Sequence, residues 1–272
     1  MNFTPGSAEY FREEIEYPFF ASYLEGKGSG PASKVTVLPS GETMAALYIK
    51  SRKSATKDIR RPEWQHYGQW PPLNKEMKFF LASGNALSAE PGTENEGCPL
   101  YYDPKNPVPY TGGILEEFSR EAYVADQRFA ARRPDVLTFR TPVLKETLKI
   151  EGPVKVTLYL DSLNAGNNID IIVKLIDRRT DGYQIPVRIG ARPLRFREPF
   201  TTPSPLGSQE AVKLEIELTD IAHHFLPGHR LMLHVQCSMF PLLALPKNVT
   251  NAEISLRIGS LTPSSITLPV AL

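Results

Sequence analysis

From residue 134 onward, apolar and polar residues alternate with a period of two. Val154, Val156, Leu158 and Leu160 interleave with Lys155, Thr157, Tyr159 and Asp161. Val212, Leu214, Ile216 and Leu218 interleave with Lys213, Glu215 and Glu217. Leu231, Leu233, Val235 and Cys237 alternate with Arg230, Met232, His234 and Gln236, and the pattern continues through Ile254, Leu256, Ile258, Ile266, Leu268 and Val270. A strand sends successive side chains to opposite faces, so each of these segments predicts a strand with one wet and one dry face. Ile169 to Ile176 is apolar on both faces and fits a central strand. Turn-forming residues separate the runs: Glu151-Gly152-Pro153, Asn164 to Asn168, Thr180-Asp181-Gly182 and Leu226-Pro227-Gly228. Many half-buried strands with few helices predict two sheets packed face to face, a mainly β fold.

The N-terminal part reads differently. Ser7 to Leu24 predicts a helix, with Ser7 as N-cap and Glu9, Glu13 and Glu14 in the early turns, where the helix dipole favours acids. Phe11 and Ile15 give one apolar face. Pro18 is expected to break or kink the helix. Phe19, Phe20, Tyr23 and Leu24 form a dense apolar patch that must pack on something. The run Gly26-Lys27-Gly28-Ser29-Gly30-Pro31 ends the element; it follows no strand and lacks the order of a phosphate-binding loop, so it reads as a turn. Val35–Leu38, Ala45–Ile49 and Phe79–Leu81 are expected to be short strands. Arg60 to Asn74, with Trp64, Trp70, Pro71 and Pro72, is expected to be ordered but irregular. Glu90 to Thr111 reads as a long proline-rich loop, of the kind that is functional or wraps another surface. The domain boundary is expected between Thr111 and Pro134.

Composition narrows the function classes. The 272 residues suffice for one large domain or two ordinary ones, and 41% hydrophobic with 22% charged residues are globular values. Lys and Arg number 31 against 30 Asp and Glu, so a net charge of +1 supplies no field that recruits nucleic acid or an anionic membrane. The one basic stretch, Lys50 to Arg61, reads as a solvated loop or helix face. The 25 prolines favour a fold rich in loops and strands. Cys98 and Cys237 cannot build a disulfide framework; Cys237 reads as a small buried apolar residue, and a single bridge between the two stays open. No run approaches the ~18 apolar residues of a membrane span, and Met1 to Ser7 has no signal-peptide character. On face value the chain is expected to be soluble and cytoplasmic.

The search for chemistry returns little. There is no G-x-S-x-G elbow, no H-E-x-x-H and no Cys/His spacing suited to zinc. His223, His224, His229 and His234 cluster in sequence, but His229 and His234 are five apart on a strand and face opposite sides, so these histidines are expected on loops and strand surfaces. The pairs Glu116-Glu117 and Glu13-Glu14 read as solvated faces. Arg128, Arg132, Arg133, Arg188, Arg192, Arg195 and Arg197 recur closely; structural ion pairs and backbone contacts are the expected roles, with an anion site as the alternative. No catalytic, cofactor-binding or metal-ligating residue is assigned.

Several motifs together resemble one family. Arg132-Arg133-Pro134-Asp135-Val136-Leu137-Thr138-Phe139 is similar to the entry of the C-terminal domain of X-Pro dipeptidyl-peptidases and of CocE/NonD hydrolases. Gly152-Pro153-Val154 and Ile172-Val173-Lys174-Leu175-Ile176-Asp177 resemble its next strands. Pro227-Gly228-His229-Arg230 and Cys237-Ser238-Met239-Phe240-Pro241 resemble its G-H-R and S-S-x-F-P signatures. Upstream, Glu9-Tyr10-Phe11, Pro18-Phe19-Phe20 and Tyr23 to Gly28 resemble the segment that follows the catalytic histidine, and Gly68-Gln69-Trp70-Pro71-Pro72 resembles the crossing into the sandwich. The resemblance implies a jelly-roll β-sandwich preceded by a remnant of the end of an α/β-hydrolase domain. It implies three parts: residues 1–33 as that tail end, 34–133 as a connecting segment, and 134–272 as the jelly roll. It also implies that the Ser–His–Asp triad lies upstream, so no catalytic residue carries over. The partner it implies is a hydrolase domain, upstream or in a separate chain. The apolar face of Phe11, Ile15, Phe19 and Phe20 would otherwise be exposed and predicts a partner or a homo-oligomer. Two departures stand out: Thr43 to Glu63 reads as an insertion, and Leu243-Ala244-Leu245-Pro246-Lys247 replaces the family's D-R-N-P. The alternative reading is a free-standing carbohydrate- or ligand-binding sandwich, with Trp64, Trp70, Tyr101, Tyr102 and Tyr110 as stacking platforms.

Overall fold

The computed structural model describes residues 7–30, 35–40, 64–112, 124–162, 169–204, 211–247 and 249–272. The expected strand at Ala45–Ile49, the basic stretch Lys50 to Arg61, the insertion Thr43 to Glu63, the pair Glu116-Glu117 and the turn at Asn164 to Asn168 lie outside those residues.

The period-two segments form strands at the registers their side chains predict. β7 (Leu148–Ser162) is the hub of the first layer. β10 (Val212–Phe225) pairs along one edge of it, and β12 (Ala252–Ile258) and β13 (Ser265–Ala271) share the other. β5 (Glu96–Tyr102) extends from β12, and β3 (Asn74–Ala82) followed by β4 (Ala86–Ser88) extends from β13. The second layer runs β6 (Val136–Arg140), β11 (Arg230–Gln236), β8 (Asp170–Arg178), β9 (Gln184–Pro193). All these pairings are antiparallel; one parallel bridge, Ala86 to Arg140, links the layers.

The inward rows meet in one apolar core. Val154, Val156, Leu158 and Leu160 of β7 face Val173 and Leu175 of β8 and Leu231, Leu233 and Val235 of β11, all fully buried. Exchanging such surface for water at roughly 25 cal/mol per Å² makes this core the main stabilising element. The layers approach closely where β9 crosses β10. A Cβ on Gly190 would lie 2.4 Å from Leu218 Cδ2 and 2.9 Å from Ile216 Cγ2, so a larger residue there would have to displace those core side chains.

As expected, β8 lies between two strands and is buried on both faces. Its outer face is covered by the segment before β6, where α3 (Arg128–Ala131) and a small cluster of Val108, Ala130 and Val136 sit.

Two expectations change. The Glu90 to Thr111 segment is not all loop, because Glu96–Tyr102 forms β5. Its Pro99 is tolerated because β5 is an edge strand, where a missing N–H leaves no ladder bond unmade. Pro18 does not end the N-terminal helix. The chain stays helical from α1 (Ser7–Tyr10) through a π-helical stretch (Phe11–Glu16) into α2 (Tyr17–Glu25). Pro18 falls in the first turn of α2, where its missing donor costs least. Gly26 then stops the helix in the left-handed region, φ 66°, and both its N–H and that of Lys27 reach Ala21 O. Short strands β1 (Val35–Val37) and β2 (Gln65–Tyr67) pair as a separate two-stranded ribbon.

Candidate functional site

The histidines are not on the surface. His223, His224, His229 and His234 are all buried, and three of them belong to polar knots. Asp177, the last inward residue of β8, accepts from His229 Nδ1 at 2.9 Å and from His223 Nε2 at 3.3 Å. Ser40 Oγ lies 2.6 Å from His223 Nδ1 and donates to Ala222 O at 3.2 Å. Burial alone would push the Asp177 carboxyl up, but the hydrogen bonds from His223 and His229 hold it below the usual carboxylate range.

A strand bulge explains why alternation misplaced these side chains. Along β10 the inward residues are Leu214, Ile216 and Leu218, and a register shift between Leu218 and Ile221 makes Ile221, His223 and Phe225 inward instead. His224 then points to the other face, 3.5 Å from Glu151; burial, and then the hydrogen bond and charge of that same carboxylate, push the Tyr67 hydroxyl pKa up.

Ser40, His223 and Asp177 stand in the order hydroxyl, imidazole, carboxylate. Their geometry is that of a clamp. Ser40 Oγ touches both His223 Nδ1 and Ala222 O, and His223 Nε2 reaches Asp177 on its other side. Both ring nitrogens of His223 thus have a partner, and with the His223 and Asp177 side chains only 2% and 3% exposed, the imidazole and the carboxylate are shut off from solvent. The clamp joins the ends of β8 and β10 to the segment 35–40. Farther along that edge, Trp70 Nε1 donates to Asp220 Oδ2 at 2.6 Å, Thr36 Oγ1 contacts His66 Nδ1 at 3.2 Å, and Tyr10 stacks on Trp64 at 5.3 Å.

A second polar nest lies on the outer face of β8 and β11. Lys174, fully buried, donates to Gln127 Oε1 at 2.9 Å, and desolvation lowers its pKa to about 7. His234 stands opposite it in register, with both ring nitrogens unbonded, and burial beside Lys174 pushes its pKa down to about 3.

Most of the arginines take the structural roles expected. Arg133 forks onto Asp135 and reaches Asn106 O, Arg188 donates to Asp220 O, Arg197 donates to Leu194 O and Ser204 O, and Arg192 stacks on Phe200 at 3.6 Å. Arg195 lies over Phe196. Arg128 and Arg132 line one pocket. Glu13 and Glu14 are solvent-exposed, as expected. The aromatics do not assemble a platform: Trp64 stacks on Tyr10, Trp70 meets Tyr67 edge to face, Tyr102 is in the core, Tyr101 is exposed on β5 and Tyr110 lines a cavity. Cys98 and Cys237 are both free thiols, and burial pushes both thiol pKa values up. That cavity, about 470 Å³, lies along β9 and is walled by Tyr110, Met239, Leu242 and Leu243. Among the described residues no three His, Cys, Asp or Glu side chains converge on a metal position, and no helix is long and apolar enough to cross a membrane.

The helical arm contrasts with all of this. No side chain of α2 is buried, and Phe19, Phe20, Tyr23 and Leu24 are 44% to 75% exposed. Among the described residues the ring contacts of Phe19 are with its own neighbours, Phe20 at 5.4 Å and Tyr23 at 4.7 Å between ring centres.

Residues 31–257 match the sequence model of the X-Pro dipeptidyl-peptidase C-terminal non-catalytic domain. The chain belongs to that family. A curated relative, the cocaine esterase of Rhodococcus sp. (strain MB1 Bresler), is 32% identical over 189 residues, which are 66% of this chain and 33% of that protein. Among solved structures, an aminopeptidase from a marine sediment archaeon, Thaumarchaeota archaeon, superposes with TM-score 0.83 at 25% identity, covering 99% of this chain and 46% of the other. A selenomethionine-labelled α-amino acid ester hydrolase superposes with TM-score 0.81 at 29% identity, covering all of this chain and 46% of the other. The chain thus spans about a third of its curated relative and under half of these solved chains, and it corresponds to the C-terminal domain of CocE/NonD-type hydrolases.

Proposed function

We propose that this chain is the C-terminal portion of a serine hydrolase acting on esters, acyl amides or peptides, and that it holds and shapes the hydrolase domain without performing the chemistry. The observation that carries this reading is the unpacked arm. A nine-residue α-helix with exposed Phe19, Phe20, Tyr23 and Leu24 is folded for a surface that the described residues do not supply. Residues 1–33 are the tail of the hydrolase domain in this reading. Residues 34–133 connect it to the jelly roll of 134–272 and lend β3, β4 and β5 to it.

The Ser40–His223–Asp177–His229 clamp fixes where the connecting segment meets the sandwich, and so where the hydrolase domain sits. The cavity beside β9 is the part of the sandwich shaped to bound a substrate pocket. Leu243, which stands where the family carries a polar sequence, makes its wall apolar.

The test uses the part of the Rhodococcus cocaine esterase that precedes its match to this chain. Co-expression with residues 1–272 is expected to give a one-to-one complex by light scattering, lost in a Phe19→Ser/Phe20→Ser/Leu24→Ser variant. Free components in both cases would contradict the docking role.

A further inference from the structure

A second concave surface carries an unbalanced charge. It lies on the outer face of the second layer, between α3 and strands β6, β11 and β8, and has a volume of about 330 Å³. Arg128, Arg132, Arg140 and Arg178 line it, together with Thr138 and Gln184, and among the described residues no Asp or Glu is in its wall. Strand register forces the crowding. Arg178 stands directly opposite Arg230 across the β8–β11 ladder, and Arg140 stands opposite Met232 one step along the same face. Like charges directly opposite one another in a sheet are destabilising.

Neutralisation is incomplete. Arg128 is paired with Asp126 at 2.5 Å. Among the described residues, Arg132, Arg140, Arg178 and Arg230 have no carboxylate within ion-pair distance, and Arg230 reaches only Thr141 O at 2.8 Å. Burial, and then the charges of Arg140 and Arg230, lower the Arg178 pKa. Gln184 is buried, and its Oε1 has no hydrogen-bond partner. A folded protein keeps such a cluster at a cost.

We propose that this pocket binds the phosphate group of a small phosphorylated molecule. Guanidinium groups present forked donors that fit phosphate oxygens two at a time, and a tetrahedral dianion satisfies several forks converging from different strands, where one carboxylate satisfies a single fork. The pocket is larger than a phosphate group alone. Gln184 Oε1 calls for a donor on the organic remainder, such as a hydroxyl.

Isothermal titration of residues 1–272 with inorganic phosphate and with glycerol 3-phosphate, at ionic strength held constant with sodium chloride, tests this. Glycerol 3-phosphate is expected to bind at least several-fold tighter than inorganic phosphate. Arg178→Ala and Arg140→Ala are each expected to weaken binding at least tenfold, with Lys149→Ala unchanged. Thermal melts separate binding from misfolding: without ligand, Arg178→Ala is expected to melt at or above the wild-type temperature, because a repulsion is gone, while losing the ligand-dependent rise. No binding at matched ionic strength, or equal binding by all variants, overturns the site. Inorganic phosphate binding as tightly as glycerol 3-phosphate overturns the organic-ligand part. Glu116 and Glu117 stand close upstream in sequence; binding that appears only in a Glu116→Gln/Glu117→Gln variant would show that the arginines serve the chain's own acids and would overturn the proposal too.

Discussion

In β7, Val154, Val156, Leu158 and Leu160 are wholly buried, whereas in α2, Phe19, Phe20, Tyr23 and Leu24 are 44%, 48%, 71% and 75% exposed. Both segments are apolar on one face, and both form the element their pattern predicts. The difference is that the facing surface of β7 is encoded in the same chain, in β8 and β11, while that of α2 is not among the described residues. An amphipathic pattern therefore specifies an element and the face it must bury, but not the molecule that buries it. The inward faces of the sandwich are covered by its own strands, and in the proposed reading the arm is half of an interface.

That contrast can be broken at several points. The largest effect is expected at the clamp. Asp177→Asn leaves His223 and His229 without their carboxylate and is expected to cost ~3–5 kcal/mol in urea unfolding at pH 7. The sign with pH follows from the lowered Asp177 pKa. Its stabilisation is complete above the unfolded value of about 4 and is lost as pH falls through the lower folded value. Wild type is thus expected to lose stability at that acidic end, and Asp177→Asn to lose much less there. In the core, Leu158→Ala is expected to cost about 2–5 kcal/mol, since the packed layers cannot close over the cavity.

Lys174 sharpens the comparison in the opposite direction, because here the sandwich buries a charge at its own expense. Lys174→Met is expected to stabilise by roughly 1–3 kcal/mol at pH 7 or below. The folded pKa of about 7 lies under the unfolded value. The unfolded chain therefore binds more protons between the two values, and wild-type stability rises with pH across that window. The advantage of Met should shrink as pH rises from 7 towards 10, which denaturation at several pH values will show. The smallest effect belongs to the arm: Phe19→Ser is expected to change the stability of the free chain by no more than about 0.5 kcal/mol, because it uncovers nothing.

Much of this was legible in the sequence. The alternation of β7, β10, β11, β12 and β13 follows directly from side-chain period, and the two-sided burial of β8 from a run that is apolar on both faces. What alternation could not show was the β10 bulge after Leu218, which reverses the phase and brings His223 inward to Asp177. A single extra residue leaves no compositional signal. β5 was hidden because Pro99 reads as a loop residue until its edge position is known. The arginine pocket was half visible: Arg128 and Arg132 recur in sequence, but Arg140 and Arg178 join them only through strand register. The clamp's second partner, Ser40, lies far from the others in sequence and carries no motif. The asymmetry between arm and sandwich was foreshadowed by the apolar patch at Phe19 to Leu24, which has no complementary face in the pattern that follows.

In the proposed reading residues 1–272 hold a hydrolase domain and leave the chemistry to it, with Ser40, His223 and Asp177 acting as a clamp. The most direct measurement is hydrolysis of p-nitrophenyl butyrate by the purified chain, beside its Ser40→Ala variant. The account predicts rates for both that match the buffer blank, with Ser40→Ala less stable to urea than wild type. Turnover by the wild-type chain that Ser40→Ala abolishes would contradict it.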